Sequence, residues 1–204
     1  MKILALELST GQGSIAWLED QKAPCVFTFA NNRKDSGLFF ENMEICVRQF
    51  GVPQQIVVGL GPGSYAGVRI AIATALGLRA ASAAKLIGIA SICGMGTSSS
   101  DYSVIGDARR ASFFYVRVID RRVAEGPSLH SADELEVKIA QAIQPVFASE
   151  SLPAFPNAML AYPSALQLGL LARERPNEMM ETESPEPIYL REPHITMRKS
   201  AVFS

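Results

Sequence analysis

Two short turns carry the residues that could do chemistry in this chain, and each turn follows an apolar run typical of a buried strand. The first turn brings together Glu7, Ser9 and Thr10, a carboxylate and two hydroxyls that could serve a metal–nucleotide complex. The second turn, residues 61–64, reads Gly-Pro-Gly-Ser, and its glycines would let backbone N–H groups approach an anion at the start of a helix. Together the turns predict a nucleotide-binding groove built from Glu7, Ser9, Thr10, Gly61, Gly63 and Ser64.

Each turn also has a purely structural interpretation. The glycine spacing matches neither the dinucleotide-binding fingerprint nor the P-loop, because Ser64 and Ala66 stand where glycines would be required and no lysine follows Gly67. A junction between a strand and a helix requires glycine for its geometry alone. Glu7 is equally well explained as a hydrogen-bonded acid at the end of a strand. Both interpretations therefore stay open at the level of the sequence.

Common catalytic arrangements find no support in the sequence. The two histidines, His130 and His194, are far apart, and neither has a metal-ligand partner at helical spacing. The sequence indicates no Ser-His-Asp or Cys-His arrangement. Asp107 and Arg109 form either an exposed ion pair or the polar lining of a groove. We therefore predict no catalytic residue and no metal site.

Composition excludes several classes of protein. The chain has 204 residues, 48% of them apolar, which is enough to bury a substantial core. Its net charge of −1 gives no overall electrostatic reason to bind nucleic acid directly. Cys25, Cys46 and Cys93 are odd in number and lie in apolar surroundings, which indicates reduced thiols in the core. Since no segment approaches the length of a membrane span, we expect a soluble, cytoplasmic protein.

The elements that position the two turns alternate between strands and helices. An antiparallel meander comes first, followed by two helices and two further strands, which predicts a mixed sheet with helices packed against it. The expected strands are residues 3–8, 14–18, 23–30, 56–60 and 86–89, and the expected helices are 36–50 and 64–84.

The pattern restarts after a polar loop at residues 97–101. We therefore divide the chain into a lobe of residues 1–100 and a smaller lobe of residues 101–204. Ser131 and Glu134 form a capping-box signature for one helix, and Ser164 can cap another. The expected elements of this lobe are strands at 102–105, 113–119 and 145–149, helices at 131–143 and 164–174, and an edge strand at 188–190.

The two helices of the first lobe have more apolar surface than one sheet can cover. In the helix 64–84 the only charges are Arg69 and Arg79, and Gly67, Ala71 and Thr74 form a face that another backbone could approach closely. Val68, Ile72 and Leu76 form a second ridge on the same helix. In the helix 36–50, Leu38 and Ile45 fall outside a core-facing stripe of Phe39, Phe40, Met43, Cys46, Val47 and Phe50. We expect a partner to cover this surplus.

Five motifs occur in order and carry a family resemblance: residues 3–10, 59–70, 87–91, 107–109 and 187–191. The chain resembles the TsaB family of bacterial tRNA threonylcarbamoyladenosine biosynthesis proteins, which are related to the glycoprotease-like and actin/Hsp70/sugar-kinase proteins. The resemblance is strongest over residues 1–91. It implies an α/β fold of two ribonuclease-H-like lobes, each a mixed five-stranded-type sheet with helices, with the second lobe reduced.

The resemblance also implies a function. Members of this family are non-catalytic subunits of the tRNA N6-threonylcarbamoyladenosine synthase, and they hold the catalytic TsaD subunit through a helix bundle. A TsaE-like ATPase joins the assembly, tRNA is reached only through the complex, and the isolated chain forms a homodimer. No cofactor is expected to bind tightly to this chain, and ATP or ADP with Mg²⁺ would lie at the subunit interface.

The resemblance places the partner interface on the helices 36–50 and 64–84. The expected interface residues are Leu38, Ile45, Gly67, Arg69, Ile70, Ala71, Thr74 and Leu78.

The alternative function is an ATP-dependent transferase or kinase that uses the groove between the lobes. Glu7 departs from the family, which usually has aspartate there, and its extra methylene moves the carboxylate by about 1.5 Å. A protease function has no residues to support it.

Overall fold

The first half of the chain forms a five-stranded mixed sheet. The computed structural model describes residues 1–31, 36–176, 178 and 181–191. The order of strands across the sheet is β3-β2-β1-β4-β5, with β1 antiparallel to β2 and parallel to β4. The strands are β1 (Lys2–Glu7), β2 (Gln12–Glu19), β3 (Cys25–Ala30), β4 (Gln55–Gly59) and β5 (Lys85–Ile89). The central strands β1 and β4 are buried on both faces, as their uninterrupted apolar runs predict.

Helices cover both faces of this first sheet. Helices α1 (Gly37–Phe50) and α2 (Tyr65–Ser82) pack on one face, where Trp17 stacks on Phe50 with ring centroids 5.3 Å apart. The opposite face is covered by α4 (Ala165–Glu174), which comes from the second half of the chain. The Ala165 N–H donates to Ser14 Oγ at 2.9 Å and fixes the start of α4 on the sheet. None of the helices in the described ranges has the length and apolar character needed to cross a bilayer.

The second half of the chain forms another five-stranded sheet and one more helix. Its elements are β6 (Tyr102–Asp107), β7 (Phe113–Ile119), β8 (Arg122–His130), α3 (Ala132–Ala140), β9 (Val146–Ala148) and β10 (Met159–Leu160). The order of strands is β10-β9-β6-β7-β8, with β6 antiparallel to β7 and parallel to β9. The two mixed sheets confirm the predicted α/β fold class, and the capping box that Ser131 and Glu134 predict is present at the start of α3.

The chain crosses between the two sheets twice, and the two crossings are bonded to each other. The first crossing follows the short 3-10 turn Ser91–Gly94, and the second precedes α4. The Gly96 N–H donates to the Tyr162 carbonyl, the Ser164 N–H donates to the Gly94 carbonyl, and both distances are 2.9 Å. The boundary between lobes at residues 97–101 remains a prediction, and the structure adds that α4 returns to the first sheet.

Three strands differ from the sequence prediction: two that form were not predicted, and one that was predicted does not form. Strand β8 was not predicted, because Gly126 and Pro127 interrupt an exposed, polar segment at the edge of its sheet. Its turn consists of Asp120 and Arg121, which both adopt positive φ without glycine. The two-residue strand β10 was also missed. Residues 188–190 do not form a strand, although the Ile188 N–H donates to the Leu60 carbonyl at 2.8 Å.

The core stripe of α1 is narrower than its helical wheel predicts. Phe39, Met43 and Cys46 are buried, whereas Phe40 is 51% and Val47 37% exposed. The expectation that Phe40 and Val47 lie in the core is therefore wrong. These two side chains are exposed because α1 packs mainly on β2 and β3, near the edge of the sheet.

Helix α2 buries a broader side than predicted, because Val68 and Ile72 of the predicted ridge are buried together with Gly67 and Ala71. Ala71 is fully buried, and a Cβ on Gly67 would stand 2.1 Å from the carbonyl oxygen of Leu8. The expectation that Gly67 and Ala71 form a free face is therefore wrong, since their small size lets α2 approach its own sheet. Leu76, the third residue of the predicted ridge, is 36% exposed. The side of α2 that faces outward consists mainly of Ala66, Ala73, Gly77 and Ala80.

Candidate functional site

The two turns singled out in the sequence meet at one end of the first sheet. Strands β1, β4 and β5 run parallel, so the turns that follow them come together at their carboxyl ends. The Ser64 N–H donates to the Ser9 carbonyl at 2.6 Å. The Gly61 N–H donates to Ser91 Oγ at 2.9 Å, and the Ser91 N–H donates back to the Gly61 carbonyl at 2.8 Å. Hydrogen bonds thus join these two turns to each other and to the turn after β5, which contains Ser91.

The second turn requires glycine at two positions, at Gly63 because of close packing and at Gly61 because of its backbone conformation. A Cβ on Gly63 would lie 2.1 Å from the carbonyl oxygen of Ser9, and Gly61 has a φ of +87°. Ser64 begins α2 as its N-cap, because its Oγ accepts from the Gly67 N–H at 3.3 Å. These contacts give each small residue of the turn a structural reason.

A groove of about 720 Å³ lies between the ends of the two sheets. Of the six predicted groove residues, four line it and two do not. Those that line it are Ser9, Thr10, Gly63 and Ser64, while Glu7 and Gly61 lie beneath. Glu7 is fully buried, and its Oε1 accepts from the Ser9 N–H at 2.6 Å. Burial raises the pKa of Glu7, and the hydroxyls of Ser9 and Ser91 lower it only in part.

The second sheet supplies the opposite wall of the groove and its charges. Asp107 and Arg109 are both an ion pair and part of this wall, with Oδ2 of Asp107 2.7 Å from a guanidinium nitrogen of Arg109. Oδ1 of Asp107 also accepts from the Arg109 N–H at 2.7 Å. Glu150 accepts from the Asp107 N–H at 3.3 Å. Among the described residues of this wall, the charged side chains are one arginine and two carboxylates, an unfavourable balance for phosphate groups.

The residues present do not fit a magnesium ion at the end of β1. The Glu7 carboxyl is fully buried and takes no part in the lining of the groove. Among the described residues, no three His, Cys, Asp or Glu side chains are grouped so that they could hold a metal ion. His130 is hydrogen-bonded to Ser128 Oγ at 2.8 Å, and His194 lies outside the described residues.

The segment 181–191 reaches the groove near its end, a position that the sequence did not reveal. The Tyr189 ring packs on the Tyr65 ring with centroids 5.6 Å apart. Leu190 lines the groove, and Arg191 donates to the Arg109 carbonyl at 3.5 Å. Sequence reasoning also missed Gly59 and Ser91, which surround Glu7. The signal for Gly59 was present, since a glycine inside an apolar strand often marks a close approach.

A second candidate surface is the outer face, which we define as the exposed apolar and small residues of α1 and α2. Leu38 and Ile45 are 46% and 50% exposed, as the sequence predicts. Leu38 and Ile45 are seven residues apart and share one side of α1, whereas Phe40 and Val47 share the opposite side. Exposed apolar side chains gathered on a helix often mark an interaction site. The outer face comprises Leu38, Phe40, Ile45 and Val47 of α1 and Ala66, Ala73, Leu76, Gly77 and Ala80 of α2.

The predicted interface residues of α2 divide into three groups. Arg69 is exposed, and its guanidinium lies 5.0 Å from the centre of the Tyr65 ring. Ile70, Thr74 and Leu78 are half-buried along one side of α2. Gly67 and Ala71 are buried against the first sheet and unavailable to a partner.

Comparison with known proteins gives one family match and several relatives. The family model described as TsaD: tRNA N6-adenosine threonylcarbamoyltransferase matches residues 48–150. An uncharacterised protein of Mycobacterium tuberculosis is 29% identical over 143 residues, which cover 68% of this chain and 64% of that protein. The same values hold for an uncharacterised protein of Mycobacterium bovis. The chain thus matches slightly less than two thirds of the length of these relatives.

Two solved structures from Pseudomonas aeruginosa share the fold. The first is an uncharacterised protein with similarity to the peptidase YeaZ, with a TM-score of 0.73 and 23% identity over 93% of this chain and 99% of that chain. The second is YeaZ, with a TM-score of 0.67 and 20% identity over the same shares of the two chains. These likenesses extend the agreement in fold over nearly the whole chain.

Proposed function

Because this chain belongs to the family described as TsaD: tRNA N6-adenosine threonylcarbamoyltransferase, we propose that it is a non-catalytic scaffold or activator in the synthesis of threonylcarbamoyladenosine in tRNA. The resemblance seen in the sequence is confirmed at the level of the family and the fold. The scaffold would hold a TsaD-like catalytic subunit through α1 and α2. The observation that carries this proposal is the outer face of these helices.

The outer face has the composition of a helix-packing surface. Leu38, Phe40 and Ile45 each expose about half of their side-chain surface. Completing the burial of one such side chain contributes about 1 kcal/mol, half of the value for full burial. Around Gly77 and its neighbouring alanines the surface is low, which allows a second helix to approach at the short end of the usual range of about 8–10 Å. Two helices from each partner would form a four-helix contact.

The groove supports a scaffold better than an enzyme. An ATP-dependent transferase or kinase would place a carboxylate beside the phosphates to hold Mg²⁺. In this chain Glu7 is buried below the groove, and the charged side chains among the described residues of the opposite wall are two carboxylates and one arginine. In the assembly that we propose, groups of the partner would hold any ATP or ADP with Mg²⁺ at the subunit interface.

The remaining parts of the assembly follow from the same proposal. A TsaE-like ATPase would join the assembly, and tRNA would be reached through the complex, since the chain has a net charge of −1. The isolated chain would form a homodimer through the outer face. A TsaD-like subunit would therefore compete with the second copy.

Two substitutions on the outer face test the proposal. Ile45→Asp places a charge in the apolar surface, and Gly77→Leu fills the low region, where an added Cβ meets no atom within 4 Å. Both variants should fold as monomers and lose at least tenfold in affinity for the TsaD-like subunit, a change of about 1.4 kcal/mol. The measurement is size-exclusion chromatography with light scattering, alone and with the subunit, followed by titration calorimetry.

The matched control is Val137→Asp, since Val137 is a 64% exposed apolar residue on α3, outside the outer face. This variant should elute and bind like the wild type. Unchanged binding by both Ile45→Asp and Gly77→Leu would contradict the scaffold proposal. Turnover of ATP by the isolated chain would instead favour the transferase alternative.

A further inference from the structure

We propose that Glu7 is a proton-bearing structural acid that joins the ends of β1 and β4 to the turn after β5, so that this chain completes its groove without a divalent cation. The inference concerns the inside of the first lobe, and it does not depend on the proposed partner.

The Glu7 carboxyl occupies a cradle that a larger residue in β4 would fill. Oε1 accepts from the Ser9 N–H at 2.6 Å. Oε2 lies 1.9 Å from the point where a Cβ on Gly59 would stand, and Ser91 Oγ lies 2.6 Å from the same point. The carboxyl and the Ser91 hydroxyl therefore share the space above Gly59. Three segments that are distant in sequence meet at one side chain.

The surroundings of the carboxyl favour its neutral form. Strand β2 presents Ser14 opposite Glu7, β4 presents Gly59, and the turn after β5 presents Ser91, none of which titrates or carries a charge. A buried carboxylate without a cation is strongly unfavourable, and taking up a proton removes that penalty. Burial accordingly raises the pKa of Glu7 above its ordinary value of 4.5.

A proton on Oε2 also supplies a donor to the cluster. Within the described part of the chain, Glu7 Oε2 and Ser9 Oγ are buried and have no hydrogen-bond partner. Ser91 Oγ already accepts from the Gly61 N–H. The neutral acid can donate to either hydroxyl, whereas a carboxylate can only accept. Protonated Glu7 thus binds the turns that shape the floor of the groove.

Three substitutions distinguish this role from metal binding. Glu7→Gln keeps the length and supplies an N–H donor, Glu7→Asp keeps the carboxyl but shortens the side chain, and Glu7→Ala removes it. We expect Glu7→Gln to retain the wild-type Tm at pH 5 within about 2 °C, and Glu7→Asp and Glu7→Ala to lose about 5 °C or more. A metal ligand would give the reverse order for Gln and Asp.

The pH dependence of the Tm distinguishes this role from simple packing, because a side chain that only fills space would contribute equally at every pH. Because the folded-state pKa of Glu7 is raised, its contribution is fully present below pH 4.5 and is lost as the pH rises through the folded-state value. Glu7→Gln has no proton to lose, so its Tm should gain on the wild type between pH 5 and pH 8. A constant difference over this range, or loss of folding by Glu7→Gln alone, would overturn the proposal.

Titration with Mn²⁺, followed by the electron paramagnetic resonance of the free ion, tests the cation directly. Wild type and Glu7→Gln should leave the same concentration of free Mn²⁺. Stoichiometric uptake by the wild type that Glu7→Gln abolishes would also overturn the proposal.

Discussion

Two glycines of α2 provide a matched pair that tests which side of this helix meets the sheet. Gly67 and Gly77 lie in the same helix, but a Cβ on Gly67 would stand 2.1 Å from the carbonyl oxygen of Leu8, whereas a Cβ on Gly77 would meet nothing within 4 Å. Substituting each by alanine adds the same methyl group. The two variants therefore differ only in what that methyl group contacts.

The expected effects have opposite signs. In a helix interior, alanine is about 0.8–1 kcal/mol more favourable than glycine, so Gly77→Ala should stabilise the protein by about that amount. At Gly67 the same gain is present, but ordinary contact begins at 3.4 Å, so the backbone of Leu8 and α2 must separate by more than 1 Å. Overpacking of this kind costs about 1–3 kcal/mol or more, and a backbone oxygen cannot turn aside. We expect a net loss of about 1–2 kcal/mol for Gly67→Ala.

Thermal and urea unfolding of the two variants measure this difference. At this chain length, Gly77→Ala should raise the Tm by about 2–4 °C and Gly67→Ala should lower it by about 2–8 °C. Equal stabilisation by both substitutions would show that Gly67 does not pack on Leu8. In that case α2 would present its other side to the sheet, and the outer face defined above would be incorrect.

Two further predictions concern charge and thiol chemistry. Arg175 donates to Asp120 and is the largest cause of the lowered pKa of that carboxyl, so Arg175→Ala should lower the Tm at pH 7. The lowered pKa of Asp120 stabilises the folded state above pH 3.8, and this stabilisation is lost as the pH falls through the folded-state pKa. Calorimetry should therefore show the Tm difference between the wild type and Arg175→Ala shrinking under acid conditions. Burial raises the pKa of Cys46 to about 12 and that of Cys93 to about 11, so both should resist dithionitrobenzoate in the native protein while half-buried Cys25 reacts. Rapid native labelling of all three thiols would contradict the buried positions of Cys46 and Cys93.

The strands of the first lobe were predictable because each is a short apolar run bounded by turn residues. The face of α2 was not, since a helix that is apolar nearly all round has small residues on more than one side. Gly67 and Gly77 look alike in sequence, and only the position of Leu8 distinguishes them. Strand β8 was missed for another reason, because its edge position tolerates Gly126 and Pro127 in a polar segment.

The floor of the groove was predictable and the position of its acid was not. Ser9, Thr10, Gly63 and Ser64 follow strands that run in the same direction, so their meeting is a consequence of topology. The orientation of Glu7 depends on a side chain absent from Gly59 and on a hydroxyl more than eighty positions away in sequence. Such coincidences of distant residues arise from packing, and no local pattern encodes them.

The paired crossings between the sheets limit how the two halves of the molecule move. Because Gly96 bonds to Tyr162 and Ser164 bonds to Gly94, the crossings act as one ribbon. A single linker permits rotation in any direction, but a ribbon of two antiparallel strands bends easily only across its flat side. Relative rotation of the two halves is thereby more restricted than a single linker would allow, and a break in either crossing leaves the halves joined through the other.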